Sequence, residues 1–439
     1  MTAARGGILG GAGPEASPGA GRAVIRSSRL DNGMQVVTEA MPWLSSVAAG
    51  FWVGTGSRDE TGPMAGASHF LEHLLFKGTP ERTAEEIAEA VDAVGGDMNA
   101  FTTKEYTAFY VRLLAESLDL GLDILSDVIW DPAFRPDEVE AERQVILEEI
   151  LMHSDEPSDL VHDRLLEAMF PRHPLGRDVL GDEASIQAMP RDAITDFHAD
   201  HYRPGNIVVA AAGDIDHDRV VAGLQERLRG HSGGEPPRRS APEAGPEPMV
   251  VTSRPTEQAH VVMGVRTFGR HDPDRFALGV LDHILGGGLS SRLFQEIREK
   301  RGLAYSVYSY RSSFEDAGLF AIYAGTAPAK AREVVDLINQ EVDRVLDGGV
   351  SERELAVAKG HMRGETALSL EDSAARMSRI ARSLLLHGEV LAVEDVLARV
   401  ETVTVDEVNA VARRTLGQVP VLAVVGPFEA GAFEPSRVA

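Results

Sequence analysis

A diverged internal repeat restricts this chain of 439 residues to a narrow set of folds. Residues 70–75 read FLEHLL, and residues 280–285 read VLDHIL at an offset of 210 positions. The same offset places an apolar stretch at 259–265 on another at 49–55. A chain of this length exceeds one ordinary hydrophobic core, so two domains of about 200 residues each are expected. The repeat predicts that both domains share one fold.

The first copy of the repeat begins with the residues His69, Glu72 and His73, in the pattern HxxEH. In a helix, two histidines four residues apart lie on one face and can bind one metal ion. The carboxylate of Glu72 lies on the same side, where it can reach a metal-bound water without being a ligand. This pattern is typical of a zinc hydrolase. The alternative is an amphipathic helix whose histidines are only partly buried.

The flanking residues favour a helix at this motif. An apolar stretch at 47–53 is typical of a strand, and a glycine-rich turn at 54–57 follows it. After the motif, Gly78 and Pro80 supply the residues that end helices. The motif is therefore predicted to open a helix after a strand and a loop.

A catalytic zinc usually has three protein ligands, so a third is needed. The segment 136–152 is predicted to be a helix because it begins with proline and acidic residues. Its apolar stripe contains Val139, Ile146 and Ile150. Glu142 and Glu149 are seven residues apart and lie within about 20° of each other on the flank of this stripe, whereas Glu148 faces solvent. Glu149 is the predicted ligand and Glu142 its supporting residue, although Glu142 alone could equally be a solvated edge.

Composition excludes several classes of function. The net charge of −25 argues against nucleic-acid binding, which needs a basic surface. The chain has no cysteine, which excludes disulfides and thiolate metal ligands. No apolar run is long enough to span a membrane, so we expect no membrane insertion and a cytoplasmic location. The acidic residues could attract basic peptides or could form a solvated exterior.

The predicted domains follow from the repeat and a proline-rich stretch. Residues 1–27 are rich in glycine and alanine and are predicted to be a disordered extension. They lack the apolar centre of a secretory signal, and an organellar transit peptide is only weakly indicated, because serine and arginine are sparse. A catalytic domain is predicted at 28–230, a linker at 231–249 and a homologous domain without zinc at 250–439.

The second copy of the repeat lacks one metal ligand. Gly279 stands where His69 stands in the first copy, so His283 is predicted to be a structural relic. Within the first half, residues 98–113 have strand character, 115–129 are helical in pattern and 207–212 form a buried strand. These patterns predict an α+β fold in which helices pack on a mixed sheet.

The set formed by His69, Glu72, His73 and Glu149, with Glu142 one heptad earlier, resembles peptidase family M16, which includes insulin-degrading enzyme and pitrilysin. The chain is most similar to half-length bacterial members and to the β subunit of the mitochondrial processing peptidase. Residues 95–102, 201–206 and 293–305 also resemble segments of the family.

The resemblance implies a fold and a set of roles. Each domain would have the fold of the LuxS and processing-peptidase type of metallohydrolase. One Zn²⁺ per chain would be bound by His69, His73 and Glu149, and Glu72 would activate water. Residues implied to bind substrate are Asn99 and Ala100 on an edge strand and the pair Arg298 and Tyr305.

The implied activity is a zinc metalloendopeptidase that cleaves unfolded oligopeptides or presequence-like peptides in a closed chamber. Because full-length relatives carry four such domains, a homodimer is expected, with Arg298 and Tyr305 supplied by the partner chain. Two alternatives are a catalytically silent structural subunit and a processing subunit that needs a non-identical partner. The sequence leaves manganese or cobalt open as the metal.

Overall fold

The computed structural model describes residues 23–228, 230–429 and 431–434. The strands are β1 Val24–Arg29, β2 Gln35–Ala40, β3 Ser46–Val53, β4 Asp97–Thr102, β5 Thr107–Leu114, β6 Ile207–Gly213, β7 Met249–Ser253, β8 Ala259–Thr267, β9 Ala304–Ser313, β10 Gly318–Thr326 and β11 Val421–Gly426. The helices are α1 Ala67–Leu74, α2 Ala84–Asp92, α3 Leu118–Trp130, α4 Pro136–Asp155, α5 Pro157–Met169, α6 Glu183–Ala188, α7 Arg191–His201, α8 His217–Glu226, α9 Arg275–Leu285, α10 Ala331–Gly348, α11 Glu352–Ser369, α12 Ser373–His387, α13 Val393–Thr402 and α14 Val405–Leu416.

The strands form two mixed sheets with one topology. The first has the order β1-β2-β6-β3-β5-β4 and the second the order β7-β11-β8-β10-β9. In each sheet one neighbouring pair is parallel, β2 with β6 and β7 with β11, and the other pairs are antiparallel. Apart from β1, the strands correspond one to one. The predicted α+β fold of two homologous domains is confirmed.

The chain divides into two compact units that are not continuous halves. Within the described residues, the first unit contains 23–148, 178–238 and 367–390, and the second contains the remainder. The predicted boundaries, 28–230 and 250–439, therefore miss two exchanged segments. The physical reason is the packing of two helices: α12 lies on β6, β3 and β2, and α5 lies on β11 and β8.

Apolar side chains explain this exchange. In the first unit, Met377, Ile380 and Ala381 of α12 are buried in one cluster with Trp52 of β3. In the second unit, α5 buries its own apolar side chains against the second sheet. Each sheet thus has both faces covered. Burial of this apolar surface stabilises the fold by roughly 25 cal/mol per Å².

The predicted N-terminal extension and linker need two corrections. Residues 1–22 lie outside the described residues, but residues 24–27 belong to β1, in which Val24 pairs with Ala40 of β2. Backbone hydrogen bonding to β2 therefore orders the end of the predicted extension. The predicted linker contains neither helix nor strand from 231 to 248, and β7 begins at Met249.

No helix in the described part of the chain is long and apolar enough to cross a membrane. The long helix α4 runs without a break through the change of unit after Glu148, so Glu149 is simply the next residue of the same helix. The predicted helices at the HxxEH motif and at 136–152 are both present.

Candidate metal centre

The helix that carries HxxEH is fixed at its start by a buried carboxylate. Glu60, which is 4% exposed, accepts hydrogen bonds from the backbone N–H groups of Gly66 at 2.8 Å and Ser68 at 2.7 Å. Gly66 has a φ of 90°, and a Cβ there would lie 2.5 Å from the carbonyl oxygen of Leu180. These contacts satisfy N–H groups that a helix leaves unpaired at its first turn. They set the direction in which α1 leaves the loop.

The two histidines project from the same face of α1. Their rings lie edge to face, with centroids 4.7 Å apart. Phe70, Leu71 and Leu74 are buried and hold the helix in the core of the first unit. Burial and the neighbouring His73 lower the pKa of His69 to about 4. A neutral imidazole is the form that binds a metal ion.

Helix α4 brings a carboxylate to these histidines. One ligand atom from each of His69, His73 and Glu149 lies within 4.8 Å of the others. Val139 and Ile146 are buried, and Glu148 is exposed as the helical pattern predicts. Two imidazole nitrogens and one carboxylate oxygen are a donor set of catalytic zinc sites, so these residues fit the metal that the sequence predicts.

Glu142 is part of a buried charged chain behind His73. It is 5% exposed, so it is not a solvated edge. One carboxylate oxygen lies 3.0 Å from Nδ1 of His73, and the other lies 2.6 Å from Nζ of Lys77. Sequence reasoning missed Lys77, although its position four residues after His73 could have indicated it. A carboxylate behind a ligating histidine orients the ring.

Glu72 is held by a residue of the edge strand. The hydroxyl of Thr102, the last residue of β4, donates a hydrogen bond of 2.6 Å to the Glu72 carboxylate. Burial, followed by the charge of Glu72, raises the pKa of the Tyr202 phenol. Neither Thr102 nor Tyr202 was among the predicted site residues, because only the folded chain brings β4 and the end of α7 to this helix.

The predicted substrate strand lies at a sheet edge. β4 is the last strand of its sheet and pairs with β5 alone within the described chain. Asn99 is exposed, and its side-chain oxygen accepts a hydrogen bond of 2.8 Å from the N–H of Ala100. An unpaired edge of this kind can accept an added strand.

Arg298 and Tyr305 lie together in the second unit. Arg298 lies in the π-helical turn Phe294–Glu299, and its guanidinium carbon is 4.9 Å from the centre of the Tyr305 ring and 4.8 Å from that of Phe294. Tyr305 is 83% exposed at the start of the edge strand β9. The pair therefore presents an exposed phenol beside a partly buried cation.

Comparison with known proteins agrees with this geometry. Residues 35–183 match the family model described as Insulinase (Peptidase family M16), and residues 188–362 match the model described as Peptidase M16 inactive domain. Two proteins named uncharacterized zinc protease, from Streptomyces coelicolor and Mycobacterium tuberculosis, are each 46% identical to this chain. The matches cover 93% and 94% of this chain and 91% and 96% of those proteins.

Solved structures give the same result for the fold. A protease from Helicobacter pylori matches with a TM-score of 0.84 at 24% identity, over 92% of this chain and 100% of that one. A peptidase M16 inactive domain from Pseudomonas fluorescens matches with a TM-score of 0.85 at 23% identity, over 92% and 99%. The resemblance seen in the sequence is confirmed, and this chain belongs to peptidase family M16, the insulinase family, among its half-length members.

Proposed function

We propose that this protein is a zinc-dependent metalloendopeptidase that cleaves unfolded oligopeptides. The observation that carries the proposal is the convergence of His69, His73 and Glu149, with Glu72 between the two histidines on α1. Relatives named zinc protease support zinc as the metal. Two histidines and one carboxylate leave a coordination position open, as hydrolysis requires.

Zinc bound by these three residues would polarise the peptide carbonyl and lower the pKa of the attacking water. Glu72 takes a proton from that water and returns it to the amine that leaves. The hydrogen bond from Thr102 holds the Glu72 carboxylate in one orientation. The carboxylate is therefore already positioned when it accepts the proton.

Glu142 and Lys77 set the state of His73. A hydrogen bond from His73 Nδ1–H to Glu142 leaves Nε2 as the lone-pair nitrogen that can face a metal. Lys77 balances the charge of the buried Glu142 carboxylate at 2.6 Å. Without that cation, an ionised carboxylate this deep would be costly.

Substrate selection follows from the edge strand. A peptide added to β4 would be held by main-chain hydrogen bonds, which tolerate many side chains. A folded protein has no free strand to offer, so unfolded segments are favoured. Because Thr102 ends β4 and contacts Glu72, a peptide on this strand would pass beside the catalytic carboxylate.

We further propose a homodimer in which Arg298 and Tyr305 of one chain contact the substrate bound by the other. The support is the family resemblance and the exposure of Tyr305 beside Arg298. Mixing a Glu72→Gln variant with an Arg298→Ala variant, under conditions that exchange subunits, would restore activity through hybrid dimers. Failure of the mixture to exceed the sum of the two variants, with exchange verified, would contradict supply by the partner.

The test of the activity is hydrolysis of a quenched fluorescent peptide of a few tens of residues by the purified protein, beside its Glu72→Gln variant. We expect cleavage by the wild type and a loss of at least about 100-fold in kcat in the variant, with metal content unchanged. Equal rates would show that a contaminant cleaves. No cleavage by either, with zinc bound, would contradict a self-sufficient peptidase.

A further inference from the structure

A cavity of the second unit lies away from the residues used above. Its volume is about 290 Å³, and it opens beside α9 and the first two turns of α11. Small-molecule sites begin at about 300 Å³, so the space suits a small organic ligand. Its lining contains both polar and apolar side chains, and together they restrict the chemistry of what can bind.

Two polar side chains that line the cavity, Ser291 and Arg353, have donor groups without a paired acceptor among the described residues. Ser291 is only 3% exposed, and its hydroxyl has no hydrogen-bond partner among the described residues. Arg353, the second residue of α11, lines the same cavity and forms no ion pair within the described part of the chain. Buried polar groups are normally paired, so an unpaired hydroxyl beside a free guanidinium points to an acceptor that binds here.

The one carboxylate in the wall does not neutralise Arg353. Glu354 accepts hydrogen bonds from Arg292, with Nε at 2.6 Å, and from the Ser351 hydroxyl at 2.8 Å. Burial raises the pKa of Glu354, but these hydrogen bonds outweigh it and hold the pKa at about 2. Glu354 is thus already paired with its own cation, and the positive charge of Arg353 is available to a ligand.

A third donor comes from a buried histidine. His283 lines the cavity and stacks on His361, with ring centroids 4.2 Å apart. Burial, followed by the neighbouring His361, lowers the pKa of His283. Its ring is therefore neutral near pH 7 and offers one N–H donor.

Three further lining residues are apolar. Ile284, Val357 and Ala358 face the cavity, and Val357 is 45% exposed. A bare inorganic anion would leave this surface in water, whereas a ligand with an aliphatic group would cover it. The cavity therefore matches a ligand with an anionic end and a short apolar body.

We propose that this cavity binds a carboxylate attached to an aliphatic side chain, and that its source is the C-terminal residue of a peptide. Arg353 and Ser291 bind the carboxylate, and Ile284, Val357 and Ala358 contact the side chain. The carboxylate site stands on the geometry of the second unit alone. Only the choice of a peptide as the source rests on the proposed peptidase function.

The first test uses isothermal titration with N-acetyl-leucine and with N-acetyl-leucine amide, on the full-length protein. We expect the acid to bind and the amide to bind at least tenfold more weakly. Arg353→Gln should weaken binding of the acid about tenfold or more, and Ser291→Ala severalfold, because each removes a hydrogen bond to a charged group. The matched control, Arg332→Gln on the exposed face of α10, should bind like the wild type.

Three outcomes would overturn the proposal. They are equal binding of acid and amide, wild-type affinity in Arg353→Gln, and no binding of the acid at 10 mM. A dissociation constant of 10 mM corresponds to a binding free energy of about 3 kcal/mol. Circular dichroism of each variant verifies folding. Arg353 is exposed, so its substitution tests binding rather than stability.

A second titration identifies the source of the carboxylate. The Glu72→Gln variant is titrated with a leucine-terminated peptide of about ten residues, as free acid and as amide. Tighter binding of the free acid, lost in the Arg353→Gln double variant, supports a peptide end. Equal binding of both peptides overturns the peptide as the source. This titration measures binding to an inactive variant. A negative result therefore contradicts peptide binding at this cavity and leaves the proposed hydrolysis unaffected.

Discussion

The two copies of the internal repeat differ at the position of the first motif histidine. In the first unit, α1 presents His69 where α9 of the second unit presents Gly279. A Cβ at Gly279 would lie 3.4 Å from a terminal nitrogen of Arg311. A guanidinium therefore occupies the space beside the helix in the second unit. The same topology holds a metal-ligand set in one copy and a fixed cation in the other.

The carboxylates of the two motifs are held in related ways. Glu72 accepts a hydrogen bond of 2.6 Å from Thr102, and Asp282 accepts one of 2.6 Å from Ser309. Asp282 also lies 3.2 Å from Nε of Arg311. The hydroxyl from a neighbouring strand thus belongs to the shared fold, whereas the ion pair is specific to the second copy. The second copy thus has an ion pair beside its motif, where the first copy has its candidate metal ligands.

Removing a ligand should have the largest effect. We expect His69→Ala to lower kcat/KM by at least about 1,000-fold and to abolish stoichiometric zinc binding, because two ligands do not hold a catalytic zinc. The matched variant His283→Ala should keep one zinc per chain. Metal analysis and peptide hydrolysis measure both. Loss of zinc in His283→Ala would show that the copies are not functionally distinct.

The residue behind His73 should have the next largest effect. Glu142→Gln removes the charged acceptor of the His73 ring, so zinc affinity should fall about 10- to 100-fold. Glu148 lies on the same helix but is exposed, so the zinc affinity of the control variant Glu148→Gln should be unchanged. Competition with a chelating dye gives both affinities. Equal values in the two variants would contradict the proposed role of Glu142.

The shared hydroxyl sharpens the comparison further. Thr102→Val keeps the shape of the side chain but removes the hydrogen bond to Glu72. We expect kcat to fall about tenfold, with KM and zinc content nearly unchanged, because a hydrogen bond to a charged group contributes about 1.5–3 kcal/mol. Ser309→Ala makes the corresponding change in the second unit and should leave kcat unaffected. A change in KM alone for Thr102→Val would indicate a role in substrate binding instead.

The sequence predicted the parts of this molecule that depend on local pattern. Start and stop residues identified both helices of the metal site, and the 3.6-residue period separated Glu149 from Glu148. The alternation and flanking turns identified β6 and the strands around the motif. Residues 98–113 were predicted as one strand-like stretch, but a turn divides them into β4 and β5. In that turn the Thr103 hydroxyl accepts a hydrogen bond from the N–H of Tyr106, and the strand pattern does not predict this contact.

Long-range contacts could not be predicted in this way. Thr102 reaches the site because β4 packs beside α1, which the spacing of residues along the chain does not reveal. The exchange of α5 and α12 between the units is of the same kind. Both helices are amphipathic, but no local signal states which sheet receives each apolar face. Arg311 likewise became meaningful only when β9 placed it beside Gly279.

The smallest expected effect tests whether the ion pair of the second unit is structural. The Arg311 side chain is 33% exposed and that of Asp282 is 18% exposed, so solvent screens their attraction in part. We expect Arg311→Met to lower the free energy of unfolding by about 0.5–1 kcal/mol, the range of partly exposed ion pairs. Peptide hydrolysis should stay within about twofold of the wild type, since neither the metal ligands nor the Arg298 and Tyr305 pair is changed. Arg332→Met, on an exposed helix face, is the control and should change neither quantity. Urea unfolding measures the difference. A loss of activity without a loss of stability would mean that the second copy of the motif takes part in the reaction, because the cation would then act on substrate rather than on Asp282.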